Sequence, residues 1–172
     1  MNLSETIITT ERLILKSINQ SFIKDIFDNF TTEITTFMYP QPSGNIEDTK
    51  EFVRISMIGL SEGTNLELVI LDKATNEFLG CCGLHKLNES EPELGIWLKK
   101  AAHNNGFGLE AISGIIEWAR SQIKFTYLKY PVDRNNYPSR RIPEHFSGKL
   151  VKEYYHTNMI GKELDIVEYW VS

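Results

Sequence analysis

The sequence predicts a mixed α/β domain of the α+β kind, with a mostly antiparallel central sheet of about seven strands flanked by about four helices. Three observations carry this. From Asn65 the apolar period changes from helical to alternating, and three strand-like runs follow with only short turns between them, which makes an antiparallel meander. The run Glu93–Leu98, an amphipathic helix and the run Tyr127–Val132 then follow in order, which implies a parallel strand pair joined by a right-handed crossover. The length, 172 residues, suits one domain with a substantial core, residues 1–172, better than two small ones.

Taken in order, Thr10-Glu11-Arg12-Leu13-Ile14-Leu15-Lys16 ends in a short strand with Leu13 and Leu15 on one face. Asn19 or Ser21 caps a helix that carries Phe22, Ile23, Ile26, Phe27 and Phe30. Residues 31–44 hold Pro40, Pro42 and Gly44 and read as a loop. Asn45 caps a second helix with Glu47 and Asp48 in its first turn; it runs to about Ser61, and Ile46, Val53, Met57 and Leu60 form its buried stripe. Leu66–Leu71 and Phe78–Leu87 are strands joined by a hairpin turn over 72–76, and Glu93–Leu98 is the third strand of the meander. Leu109, Ile112, Ile115, Ile116, Ala119 and Ile123 mark a helix from Gly108 to about Gln122. After the strand Tyr127–Val132 comes a short helix, Pro138–Glu144, limited by Pro143. Leu150–Thr157 and Leu164–Val171 alternate as a closing hairpin, whose Tyr154, Tyr155, Tyr169 and Trp170 would suit the edge of a homodimer.

Between the third strand and the third helix lies His103-Asn104-Asn105-Gly106-Phe107-Gly108-Leu109. A glycine-bearing turn that opens a helix leaves several N–H groups unpaired at the positive end of the helix dipole, a cradle for phosphate. Gly106 and Gly108 carry no Cβ, so an anion can approach the main chain closely. An ordinary strand-to-helix turn would use the same glycines.

Composition removes several classes of function. The net charge of −5 argues against a nucleic-acid-binding face. No apolar run has the length of a membrane span, and the first six residues lack the basic start and apolar core of a signal peptide. Cys81 and Cys82 are adjacent and point to opposite faces of a strand, so they read as reduced, packed thiols of a cytoplasmic protein. The four histidines show no ligand spacing, so no metal is expected.

The order of elements, together with Thr10–Leu15, Glu93–Leu98, the glycine turn leading to Glu110-Ala111, and Asn136-Tyr137-Pro138-Ser139, resembles the GNAT superfamily of acyl-CoA-dependent N-acyltransferases. More narrowly it resembles the branch of Rim-type ribosomal-protein N-terminal acetyltransferases. The resemblance covers nearly the whole chain and implies that acetyl-CoA is the co-substrate. It implies that the amides of His103, Asn104, Asn105, Gly106, Phe107, Gly108 and Leu109 hold the coenzyme's pyrophosphate. Trp97, Leu98 and Lys99 then meet the pantetheine arm through their main chain, and Asn136 reaches it from the last helix. Lys100, Arg140 and Arg141 are cations that could meet the phosphates or simply be solvated. Three departures stand out: His103 takes the place of the family's Gln or Arg, Ser147-Gly148 follows the last helix where Gly-Phe is usual, and Pro143 stands where many members carry a tyrosine general acid.

Acetyl transfer to an amine needs a neutral nitrogen beside the thioester, stabilisation of developing charge, and a proton for the leaving thiolate. Glu93 is the first choice of base, because alternation sets it with Gly95 and Trp97, opposite Leu94, Ile96 and Leu98; the competing reading is a solvent-facing strand carboxylate. Glu91 and His85 are further candidates, His85 because an ordinary imidazole titrates near ~6.5. Ser139 is the candidate donor to the thiolate, although a serine there can also bond its own backbone. Phe37, Met38 and Tyr39, with His85, are the expected acceptor wall. The reading is therefore an N-acetyltransferase acting on a small-molecule or peptide amine. Its competitors are a non-catalytic acyl-CoA-binding or sensing domain on the same fold and a structural domain without ligand.

Overall fold

The computed structural model describes residues Met1–Ser172. Eight strands form one sheet: β1 (Ile7–Thr9), β2 (Leu13–Ser17), β3 (Leu66–Asp72), β4 (Phe78–His85), β5 (Glu93–Leu98), β6 (Leu128–Asp133), β7 (Lys149–Thr157) and β8 (Glu163–Val171). Their spatial order is β1-β2-β3-β4-β5-β6-β8-β7, and every neighbouring pair is antiparallel except β5 and β6. Four helices complete the fold: α1 (Ile23–Asn29), α2 (Ile46–Glu62), α3 (Phe107–Gln122) and α4 (Tyr137–His145). No helix is long and apolar enough to cross a membrane.

The sheet has one strand more than expected. β1 is only three residues long, too short to display a period, and it becomes a strand by pairing with β2, Ile7 opposite Lys16. Asn19 caps a 3-10 turn over Gln20–Phe22, and α1 then begins at Ile23 with no side-chain cap, whereas the caps of α2 fall where the residue types place them. Asn45 accepts the Glu47 amide at 3.1 Å at the start of α2, and Gly63 ends that helix with a left-handed φ of 72°. Ile46 does not join the buried stripe: at the helix tip it is 37% exposed, and Ser56 and Gly59 line the buried face with Val53 and Leu60 instead. In the closing hairpin Tyr154 and Tyr155 are exposed, but Tyr169 is buried, because its cross-strand partner Tyr130 sets it on the α4 side of the sheet. There its hydroxyl donates to Glu144 at 2.7 Å and accepts from Arg140 at 3.1 Å.

The helices cover both faces. Cβ atoms built on Gly108 and Gly114 of α3 would meet Ile96, Leu98, Ile8 and Leu15, whereas Trp97, which points the opposite way from Ile96, lies against Phe30 just after α1. α3 and α4 therefore lie on one face, α1 and α2 on the other. Between them β3 is buried along Leu66–Leu71, as a central strand sandwiched by helices must be. Glu67 alone breaks that apolar run.

The feature that matters for function is the junction of β5 and β6. They pair at Glu93 and Lys129, where the Lys129 amide also donates to Pro92 at 2.8 Å. Beyond that point the strands diverge, and β6 keeps only β8 as a neighbour. The divergence splits the sheet and leaves the far half of β5 with an open edge.

Candidate active site

At the end of that open edge, Lys100–Ala102 makes a 3-10 turn closed by the His103 amide on Lys100 at 3.1 Å. The chain then takes left-handed backbone at Asn104 (φ 61°) and Gly106 (φ 76°) before α3 begins at Phe107. Asparagine tolerates that conformation and glycine favours it. The consecutive amides from Asn104 through Leu109 donate to no acceptor in the protein, so this stretch, without His103, forms the anion cradle. The His103 ring turns back, its Nε2 2.9 Å from the Leu98 carbonyl.

An arginine outside the turn holds it in place. Arg12 donates from Nη1 to the Asn105 carbonyl at 2.9 Å and from Nε to Glu110 at 2.7 Å, and its guanidinium lies 4.6 Å over the Phe107 ring. Glu110 also accepts from Thr10 Oγ1 at 2.6 Å and from the Arg12 amide at 2.7 Å. Burial pushes the Glu110 carboxyl up, but the hydrogen bonds from Thr10 and Arg12 outweigh it and hold the group below its ordinary value. Thr10, Arg12 and Glu110, distant in sequence, are thus one lock. Of the other cations expected near phosphates, Lys100 pairs with Glu33 at 3.0 Å and Arg140 is committed to Tyr169 and the Arg134 carbonyl.

Strand parity decides which main-chain groups face the open edge. The Lys99 amide donates to Leu79 at 2.8 Å, so Lys99 and, two residues back, Trp97 bond toward β4. Ile96 presents its main-chain groups to the gap, and Leu98 its amide, since the Leu98 carbonyl faces the His103 ring. Of the three residues expected to line this edge only Leu98 does, and Ile96 joins it. Both side chains are partly buried and pack against the core beneath Gly108 of α3. Trp97 packs on Phe30 and Phe78, and Lys99 pairs with Glu77 at 2.6 Å.

A cleft of about 500 Å³ runs through the split, and it brings together Phe37, Met38, Tyr39, Glu93, Asn136 and Ser139. The aromatic loop is fixed there by its own polar residues. Thr35 is fully buried with its hydroxyl on the Thr31 carbonyl at 2.9 Å, and the Gln41 amide donates to Thr35 and Met38 at 2.8 and 2.9 Å. The turn between β7 and β8 ties it down from outside, Met159 to Tyr39 at 3.2 Å and Lys162 to Thr36 at 2.8 Å. Glu93 lies 3.6 Å from Lys86. Opposite, Asn136 accepts the Ser139 amide at 3.4 Å, and the Ser139 hydroxyl is 2.8 Å from the hydroxyl of Tyr130. Burial pushes Tyr130 up to about 12, with the Ser139 bond a smaller opposing influence. Tyr130 had no distinguishing signal in the sequence, where it reads as one more inward aromatic of a strand.

Two candidates do not line the cleft. Glu91 is held below its ordinary value by Lys129, 2.9 Å away, and by Tyr127. His85 sits beside the cleft wall, its Nε2 3.7 Å from Glu67.

Residues 12–147 match the family model described as an acetyltransferase (GNAT) domain. The chain belongs to the GNAT family. It is an acetyl-CoA-dependent N-acetyltransferase. A curated relative, the uncharacterized N-acetyltransferase p20 of Bacillus licheniformis, is 22% identical over 139 residues, 78% of this chain and 77% of that protein. Among solved structures, RimL, the ribosomal L7/L12 alpha-N-protein acetyltransferase in complex with coenzyme A, superposes with a TM-score of 0.85 at 14% identity, over 96% of this chain and 97% of RimL. Spermidine N-acetyltransferase from Vibrio cholerae, in complex with coenzyme A and spermine, superposes with a TM-score of 0.81 at 14% identity, over 94% and 96%. These likenesses show the fold. The unpaired amides of Asn104–Leu109 and the open edge at Ile96 and Leu98 fit a ligand with a diphosphate and an amide-bearing arm, which acetyl-CoA has.

Proposed function

We propose that this GNAT enzyme acetylates a primary amine, a protein N-terminus or a small-molecule amine, by direct transfer in a ternary complex. The observation that supports it is the single cleft with Glu93 on one wall and the Ser139–Tyr130 pair on the other, at the mouth of the split. Bound acetyl-CoA supplies the acetyl thioester. The amides from Asn104 to Leu109 grip its diphosphate, with α3's dipole adding to the attraction. The main chain of Ile96 and Leu98 pairs with the arm as a further strand would, and Asn136 reaches it from the start of α4. Phe37, Met38 and Tyr39 shield the reacting atoms from water, which strengthens every polar contact there.

Glu93 accepts a proton from the acceptor's ammonium, directly or through a water, and so exposes the lone pair. Ser139 donates to the leaving sulfur. Tyr130 is a positioning residue: its hydroxyl holds the Ser139 hydroxyl at 2.8 Å, and Ser139 takes the part of the tyrosine general acid that Pro143 replaces. RimL acts on a protein α-amine and the Vibrio relative on spermidine, and both acceptor types stay within this reading.

The test is release of free thiol from acetyl-CoA across a panel of peptide α-amines, amino-acid amides and polyamines. Wild type turns over at least one class. Glu93→Gln lowers kcat by roughly 10²–10⁴-fold at unchanged coenzyme affinity. A protein that binds coenzyme A tightly and releases no thiol with any amine is instead the sensing domain.

A further inference from the structure

We propose that Glu67 and His85 form a proton outlet beside Glu93, taking up the proton that the acceptor's ammonium sheds before attack. This rests on the acetyl-transfer reading above. Glu67 stands in the middle of β3 between Leu66 and Leu68, and its side chain is only 10% exposed. Such a carboxyl is costly to bury, and in this strand every neighbour on the chain is apolar.

The surface beside it is cut to fit. Gly83 is the cross-strand partner of Glu67, and Gly95 is the cross-strand partner of Gly83, so two glycines floor this face of β3, β4 and β5. A Cβ on Gly83 would stand 3.0 Å from Glu67 Oε2 and 3.2 Å from His85 Cε1. A Cβ on Gly95 would stand 3.3 Å from His85 Nε2. The carboxyl and the imidazole thus occupy the room that two side chains would otherwise fill. His85 is the cross-strand partner of Glu93, and Glu93 and Gly95 both line the cleft. The imidazole therefore bridges the acceptor wall and a buried carboxyl, 3.7 Å from the latter.

The proton balance explains the need. An ammonium must lose one proton to expose its lone pair. As the C–N bond forms and the C–S bond breaks, the nitrogen loses a second, which matches the one Ser139 delivers to sulfur. The first has to leave the site by way of Glu93, the carboxylate that lines the cleft. His85 relays it from Glu93 to the Glu67 carboxylate, which leaves both groups of the pair uncharged.

Burial pushes Glu67 up to about 8, and burial pushes His85 down against the opposing pull of Glu93. At neutral pH the two are uncharged rather than an ion pair, despite their separation, and they share one proton. The pair gives that proton up as pH passes about 8, and the emptied pair is the base. Facing it are Glu93 and Lys86 at the cleft and Cys81 along β4, whose thiol burial pushes well above its ordinary value. The buried faces of α1 and α2 contribute Ile26, Val53, Ser56, Gly59 and Leu60, none of which titrates.

The experiment is the pH profile of kcat/KM for wild type, Glu67→Gln and His85→Gln, with the amine that gives thiol release. Wild type rises through about pH 8. Both variants lose that limb and fall about 10²-fold above it, with coenzyme affinity unchanged. An active wild type whose variants keep the same profile overturns the outlet and leaves acetyl transfer standing. A wild type silent with every amine overturns both. Where a variant fails to fold, nitrogen NMR of the His85 ring in wild type decides: a step in its shift near pH 8 supports coupling to Glu67, and a single ordinary imidazole titration refutes it.

Discussion

Replacing Glu67 by glutamine tests the buried carboxyl through stability, with no substrate needed. An ordinary glutamate titrates at 4.5, and burial places this one at about 8, so the unfolded chain ionises about 3.5 pH units earlier than the folded protein. Across that window the folded state binds the extra proton, and stability falls as pH rises, by about 1.4 kcal/mol per pH unit. The loss is absent below pH 4.5 and complete above pH 8, where it reaches about 5 kcal/mol. Glutamine cannot ionise and carries none of it. Paired thermal or urea unfolding of wild type and Glu67→Gln from pH 5 to pH 9 therefore gives curves that diverge with pH. About 4 kcal/mol of the loss falls between pH 5 and pH 9, and in a chain of this length 1 kcal/mol moves Tm by roughly 2–4 °C, so the gap in Tm widens by roughly 8–16 °C. Taking the difference between the two proteins cancels every other titrating group. Parallel curves would mean a solvated carboxyl with an ordinary pKa, and the proton outlet would lose its acceptor.

Further outcomes follow from the cradle and the thiol side of the cleft. Gly106→Val puts a β-branched residue at φ 76° and costs about 1–3 kcal/mol, and it lowers coenzyme A affinity at least tenfold by isothermal titration; wild-type affinity would refute the loop assignment. Ser139→Ala lowers kcat by about 10²-fold, and Tyr130→Phe lowers it less and in the same direction, both at unchanged coenzyme affinity; two variants with wild-type kcat would move the acid elsewhere. Arg12→Ala frees the Asn105 carbonyl and the Glu110 carboxylate together, so Glu110→Gln in that background adds little to the loss of coenzyme affinity, and full additivity would deny the lock.

Elements with a strong period or a cap are legible directly. Asn45 with Glu47 and Asp48, the stripe of α3 and the alternation of the closing hairpin need only local geometry, and they end within two residues of the expected positions. β1 and the fate of Ile46 are not legible, because a three-residue strand shows no period and a helix tip is buried only if something packs over it. Which amides face the split depends on a one-residue parity that the strand's own sequence does not display. It took the Lys99–Leu79 bond to turn Trp97 and Lys99 toward β4 and to bring in Ile96.

The sequence by itself determined the order of strands and helices, the glycine turn before α3, and the cast of residues around it, since these depend on neighbours along the chain. Only the tertiary structure decided that Arg12 clasps Glu110, that Tyr130 meets Ser139, and that a glutamate in an apolar strand faces a histidine over two glycines. Each of those contacts joins separate elements through sheet register and burial, and the cost of burying a charge arises only once the chain has closed around it.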